Sequence, residues 1–145
     1  MSDYIDYREL LIKEFHFWNL QLHTNQYPYI GRCYAWCKGK AKNVLEMNAE
    51  EEKELFSSII PKWWDAVKEL YQSEWPNVAC YGNTSPHLHW HLIPRFNGQK
   101  KFYNVVFEDK NQGKNYAPYE KKGISLEIMR KIKNDITSKL KPSKA

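Results

Sequence analysis

The chain has 145 residues, 42% hydrophobic and 27% charged, with a net charge of +5 at pH 7. A chain of this length can bury about two-thirds of its unfolded surface, so one domain spanning 1–145 is expected, with no need of disulfide or metal staples. Its three cysteines, Cys33, Cys37 and Cys80, lack CxxC spacing, which argues against a disulfide framework and a zinc ribbon. The opening MSDYIDYREL has neither a basic nor an apolar signal region, and no apolar run approaches 18 residues. A reducing cytoplasm is therefore the expected location. The pI of about 9.0 favours anionic partners such as phosphate esters. The lysines of 121–144 are interspersed with acids and read equally well as a solvated face. With no arginine-rich tract or recognisable module, nucleic acid is not expected as a partner.

In chain order, the first dozen residues read as a short helix or an extended lead-in. Residues 15–23, FHFWNLQLH, alternate through Trp18, Leu20 and Leu22, which predicts a strand. Turn residues at 24–28 and Gly31 lead into a second strand over 32–38, RCYAWCK, the return arm of an antiparallel hairpin. Cys33 and Cys37 share one face of it and are expected to be buried. Asn48 is an N-cap with Glu51 at the capping-box spacing, and Glu50, Glu51 and Glu52 suit the positive end of a helix. Leu55, Ile59, Trp63, Ala66 and Leu70 form its apolar stripe; Pro61 should kink it and Pro76 should stop it. A short strand follows at 77–81, then a polar turn at 82–85. Residues 97–123 read as a long loop, with a short strand at 102–107. Ser125 caps a last helix over 126–140, with Ile128, Ile132, Ile136 and Leu140 on one stripe, inside a C-terminal helical region from 124. The tail from Lys141 is expected to fray.

The most informative stretch is Pro86-His87-Leu88-His89-Trp90-His91-Leu92-Ile93-Pro94-Arg95, which holds three of the five histidines. As a strand it puts the three imidazoles on one face and turns Leu88, Trp90 and Leu92 to the core. The turn residues Asn83, Thr84 and Ser85 then lie close to His87. Clustered imidazoles serve two chemistries. One is metal binding, although on a straight strand the outer pair stands roughly 13 Å apart, and His16 and His23 show no spacing relation to them. The other is nucleophilic displacement at phosphorus, since a neutral imidazole attacks well and a neighbour can serve the leaving oxygen. Aromatic residues such as Tyr34, Trp36 or Trp18 could line a base pocket or simply pack the core.

The stretch from His87 to Ile93 resembles the His-φ-His-φ-His-φ-φ signature of the histidine triad (HIT) family, φ being apolar. The order of elements over residues 15–96 is also similar to that family. Gly31-Arg32-Cys33-Tyr34 and Gly113-Lys114-Asn115-Tyr116-Ala117-Pro118-Tyr119 are similar to a diadenosine tetraphosphate hydrolase-like branch. The resemblance implies an α+β fold: an antiparallel sheet of about five strands, one long central helix and a C-terminal helix, usually paired as a homodimer. It implies hydrolysis or transfer at the α-phosphate of a nucleotide, with dinucleoside polyphosphates the favoured substrates. By position, His89 would be the nucleophile, His91 would contact the scissile or leaving oxygen, and His87 would organise the nucleophile. Asn83 and Thr84 fall where the family contacts phosphate. No metal is required by that mechanism, and any Mg²⁺ would accompany the substrate. Many members have Gly-His where this chain has Gly31-Arg32, and a second histidine where it has Lys40. Arg32 is then expected to bind substrate phosphate or, if it neighbours the triad, to lower imidazole pKa values. A phosphoramidase or nucleotidyl transferase with the same nucleophile, and a non-catalytic nucleotide-binding protein, are the competing readings.

Overall fold

The computed structural model describes residues 6–140. The readings of the first five residues and of the tail from Lys141 lie outside that range. Five strands form one antiparallel sheet: β1 (Leu11–Glu14), β2 (Trp18–Leu22), β3 (Cys33–Cys37), β4 (Trp75–Ala79) and β5 (His89–Arg95). Their order across the sheet is β1-β2-β3-β5-β4. The lead-in takes both predicted forms, a 3-10 turn at Tyr7–Leu10 and then β1.

Strict alternation in β2 and β3 divides the sheet into two faces. Trp18, Leu20 and Leu22, together with Cys33, Ala35 and Cys37, are fully buried. They share one core with Leu55, Ile59, Trp63 and Val67 of the central helix and with Met129, Ile132 and Ile136 of α3 (Leu126–Lys139). The opposite face carries Asn19 and Gln21 of β2 beside Tyr34 and Trp36 of β3. Leu88 and Leu92 enter the core, whereas Trp90 is only half-buried and packs edge-on against Phe56.

The central helix runs in three parts: α1 (Ala49–Glu54), a wider π-type turn at Leu55–Ile59, and α2 (Ile60–Tyr71). The capping box forms at Asn48 and Glu51. Glu51 is also buried, and its carboxylate accepts from the Cys37 thiol at 3.1 Å, tying the helix start to β3. Pro61 lacks an N–H and crowds the carbonyl four residues back. The helix accommodates it by widening the preceding turn, where the Ile60 N–H reaches the Leu55 carbonyl.

Four expectations need correction. Pro76 does not stop the helix, which ends at Tyr71 with Gln72 in the left-handed region (φ 52°). Pro76 lies inside β4, an edge strand, opposite Pro94, so two residues without an N–H face one another. The strand predicted at 77–81 is accordingly shifted to Trp75–Ala79. The first three residues of the strand predicted at 15–23 belong to the β1–β2 turn. The long loop is half hairpin: β6 (Gln99–Phe102) and β7 (Val105–Glu108) pair across Tyr103 and Asn104, both at positive φ (54° and 65°). Tyrosine is a poor turn former, which hid this hairpin. Its hydroxyl is held by Asp135 of α3 and by Tyr71, which supplies what the local sequence does not.

Candidate functional site

β5 begins at His89, so His87 precedes the strand, and the histidine row is set partly by side-chain bonds. Pairing of β3 with β5 places Trp36 opposite His89 and Tyr34 opposite His91. His87 Nε2 donates to the Cys37 carbonyl at 2.6 Å, and His89 Nδ1 donates to the His87 carbonyl at 2.6 Å. A carbonyl can only accept, so His89 carries a hydrogen on Nδ1, and Nε2 is the nitrogen that bears the lone pair whenever the ring is neutral. Trp36 stacks on both rings, at 4.5 Å and 14° from His87 and at 5.2 Å and 24° from His89. The indole and the two carbonyls together fix the orientation of His89. His91 stands 5.1 Å from His89 between ring centroids and at a steep angle, with Tyr81 on its other side.

The sheet also brings in an imidazole from His23, the residue that follows β2. The His23 N–H bonds to the Arg32 carbonyl, continuing the β2–β3 ladder, and the His23 ring lies 6.0 Å from His91. Burial, aided by the Arg32 charge, pushes the His23 imidazole down to about 3 and the His91 imidazole to about 4. Both rings are therefore neutral at pH 7.

Arg32 is 3% exposed. Its Nη1 donates to the Tyr119 hydroxyl at 2.8 Å, and its guanidinium lies 5.3 and 5.5 Å from the Tyr116 and Tyr119 ring centroids. Its buried Nε has no hydrogen-bond partner among the described residues. Tyr116 and Tyr119 thus close over Arg32, and other bonds fasten the segment that carries them. The Tyr29 hydroxyl donates to the Tyr116 carbonyl at 2.6 Å. Arg95 pairs with Asp109 at 2.6 Å and donates to the Asn111 and Lys114 carbonyls.

A cavity of 700 Å³ opens on this face, lined by His23, Thr24, Asn25, Tyr34, Trp36, residues 81–85, His89, His91, Tyr116 and Lys121. Of the residues singled out from sequence, His89, His91, Asn83 and Thr84 line it, as do Tyr34 and Trp36. His87 lies behind His89, and Arg32 lies beneath Tyr116 and Tyr119; neither lines the cavity. Trp18 belongs to the core, its indole N–H bonded to the Glu51 carbonyl at 2.9 Å. From the sequence, His23 was weighed only as a metal ligand and Tyr116 only as part of the 113–119 stretch, and neither was placed in the site. His23 extends the period-two run Asn19, Gln21, His23, a signal that was available. Among the described residues, no three His, Cys, Asp or Glu side chains converge as a metal-holding group.

No protein-family model matches the chain, and no curated protein sequence matches it significantly. Solved structures do match. A histidine triad protein from Bradyrhizobium japonicum superposes with a TM-score of 0.68 at 15% identity, over 90% of this chain and 89% of that one. A histidine triad protein from Sinorhizobium meliloti gives 0.68 at 16%, over 93% and 95%. A hypothetical histidine triad nucleotide-binding protein from Sulfolobus tokodaii gives 0.64 at 16%, over 90% and 83%. The chain therefore has the fold of the histidine triad proteins.

Proposed function

We propose that this protein is a histidine triad nucleotide hydrolase. It cleaves nucleoside phosphates at the α-phosphate, foremost dinucleoside polyphosphates such as diadenosine tetraphosphate, through a covalent nucleotidyl-histidine. The observation that carries this reading is the bond from His89 Nδ1 to the His87 carbonyl, which makes Nε2 the lone-pair nitrogen of the neutral ring, on a side chain that lines the cavity. In the first step Nε2 attacks the α-phosphorus; the P–N bond forms as the P–O bond to the departing phosphate chain breaks. The ring gains positive charge, which the Nδ1–H bond to the His87 carbonyl stabilises. In the second step water attacks phosphorus and gives up a proton to solvent, the P–N bond breaks, and its electron pair returns to Nε2.

His91 serves the leaving oxygen. At about 4 its imidazole is neutral at pH 7 and offers a hydrogen bond rather than a full proton. A phosphate leaving group, with a pKa of about 6, needs no more than that, whereas an amine would need the proton. This favours anhydride cleavage over phosphoramidase chemistry. Asn83 and Thr84 offer amide and hydroxyl groups to the phosphates at the cavity wall. Arg32, covered by two tyrosines, acts through its positive field on His91 and His23. We assign no metal to the mechanism itself; Mg²⁺ arrives with the substrate.

The cytoplasm is the proposed location; among the described residues, no helix is long and apolar enough to cross a membrane. We also assign a homodimer, supported by the free edge of β4, where Trp75 is 68% exposed. Sedimentation should give about twice the 17.4 kDa chain mass.

Incubation with a nucleotide carrying ³²P at the α-phosphate, followed by an alkaline quench, should leave label on the wild-type protein and none on His89→Gly. A protein that binds nucleotide, takes no label and releases no product is a binding module, and the hydrolase reading fails.

A further inference from the structure

His23 is placed by β2 outside the row on β5, yet it lines the same cavity. The backbone N–H of Asn25 donates to its Nδ1 at 3.0 Å. An amide N–H can only donate, so Nδ1 carries no hydrogen, and the neutral ring must hold its hydrogen on Nε2. No backbone carbonyl or carboxylate accepts that hydrogen among the described residues. The ring is kept neutral by burial and by Arg32, so it remains a single fixed donor across the neutral pH range. Its immediate neighbours are Tyr34, 5.7 Å away edge to face, and His91 at 6.0 Å. Arg32 behind this wall and Lys121 beside it bias the acceptor toward an anionic oxygen rather than a hydroxyl.

We propose that His23 is a substrate-contacting residue whose Nε2–H donates to the phosphoryl group that His91 also faces. This assignment rests on the nucleotide reading of the site above. It gives that site a second neutral N–H donor, from the residue following β2 rather than from the triad stretch, locked in one tautomer by the Asn25 amide.

Long-range ¹H–¹⁵N spectra of the full chain test it, with AMP, inorganic phosphate and adenosine as probes. In the free protein His23 should be the Nε2–H tautomer. Its Nε2 signals should shift on adding AMP or phosphate, and stay in place with adenosine. His23→Ala should raise the Kd for AMP about tenfold, and His23→Gln, which retains an amide N–H donor, should recover most of the loss. The Nδ1–H tautomer, a shift induced by adenosine alone, or an unchanged Kd in a folded His23→Ala protein would overturn the proposal. Should His23→Ala fail to fold, the wild-type tautomer and shifts decide. Saturable AMP binding with His23 unmoved defeats this assignment alone, whereas a wild-type protein that binds neither AMP nor phosphate defeats the nucleotide reading with it.

Discussion

His89 is constrained on three sides: a carbonyl takes its Nδ1 hydrogen, an indole covers one face, and His91 stands across its edge. Arg32 works at longer range. It is a buried cation held by a tyrosine hydroxyl and two aromatic faces, and among the described residues no carboxylate pairs with it. Burial does most of the work of lowering His23 and His91, and Arg32 adds to it. Arg32→Met removes that charge while keeping an apolar stem under Tyr116. The imidazoles of His23 and His91 should then titrate at higher pH, closer to the ordinary 6.5, in an NMR titration, and the acidic limb of any pH–rate profile governed by His91 should move up with them. Unchanged titration in a folded variant would show that burial alone keeps the rings neutral.

At the scale of elements, the site depends on β3, which pairs with both β2 and β5 and aligns His23, Tyr34, Trp36 and the triad on one face. Gly31 fixes how β3 meets the central helix. It lies at φ +92°, the Trp63 indole donates to its carbonyl at 3.0 Å, and an added Cβ would come within 2.7 Å of Val67 Cγ1. Gly31→Ala combines a strained backbone with a clash in a packed core. It should cost about 3 kcal/mol, measured by urea unfolding. Much of this level was legible beforehand. The capping box at Asn48, the alternation in β2 and β3, and the stripe of α3 are local patterns, and local patterns survive into the fold. The hairpin at Tyr103-Asn104 was not legible, because its turn is stabilised by Asp135 and Tyr71, both about thirty residues away.

For the molecule as a whole, two neutral, half-buried imidazoles make stability depend on pH. In the unfolded chain His23 takes a proton below about 6.5, whereas in the fold it resists until about 3. The unfolded state thus binds more protons in that window. The contribution is fully present above 6.5 and is lost as pH falls toward 3, with a slope for His23 of up to about 1.4 kcal/mol per pH unit. Urea midpoints measured from pH 7.5 down to 5 should fall, and should fall less steeply in His23→Gln. Local patterns alone specify the row of His87, His89 and His91, the start of the central helix and the two-faced strands. Each of these is written in spacings of two to four residues, which backbone geometry converts directly into shared faces. Tertiary packing is what brings His23 to the triad face, buries Arg32 under Tyr116 and Tyr119, and sets Tyr116 in the cavity wall. Those placements come from strand register and from hydrogen bonds between residues far apart in the chain; the period-two run Asn19, Gln21, His23 sets which face His23 takes, but not that the triad shares it.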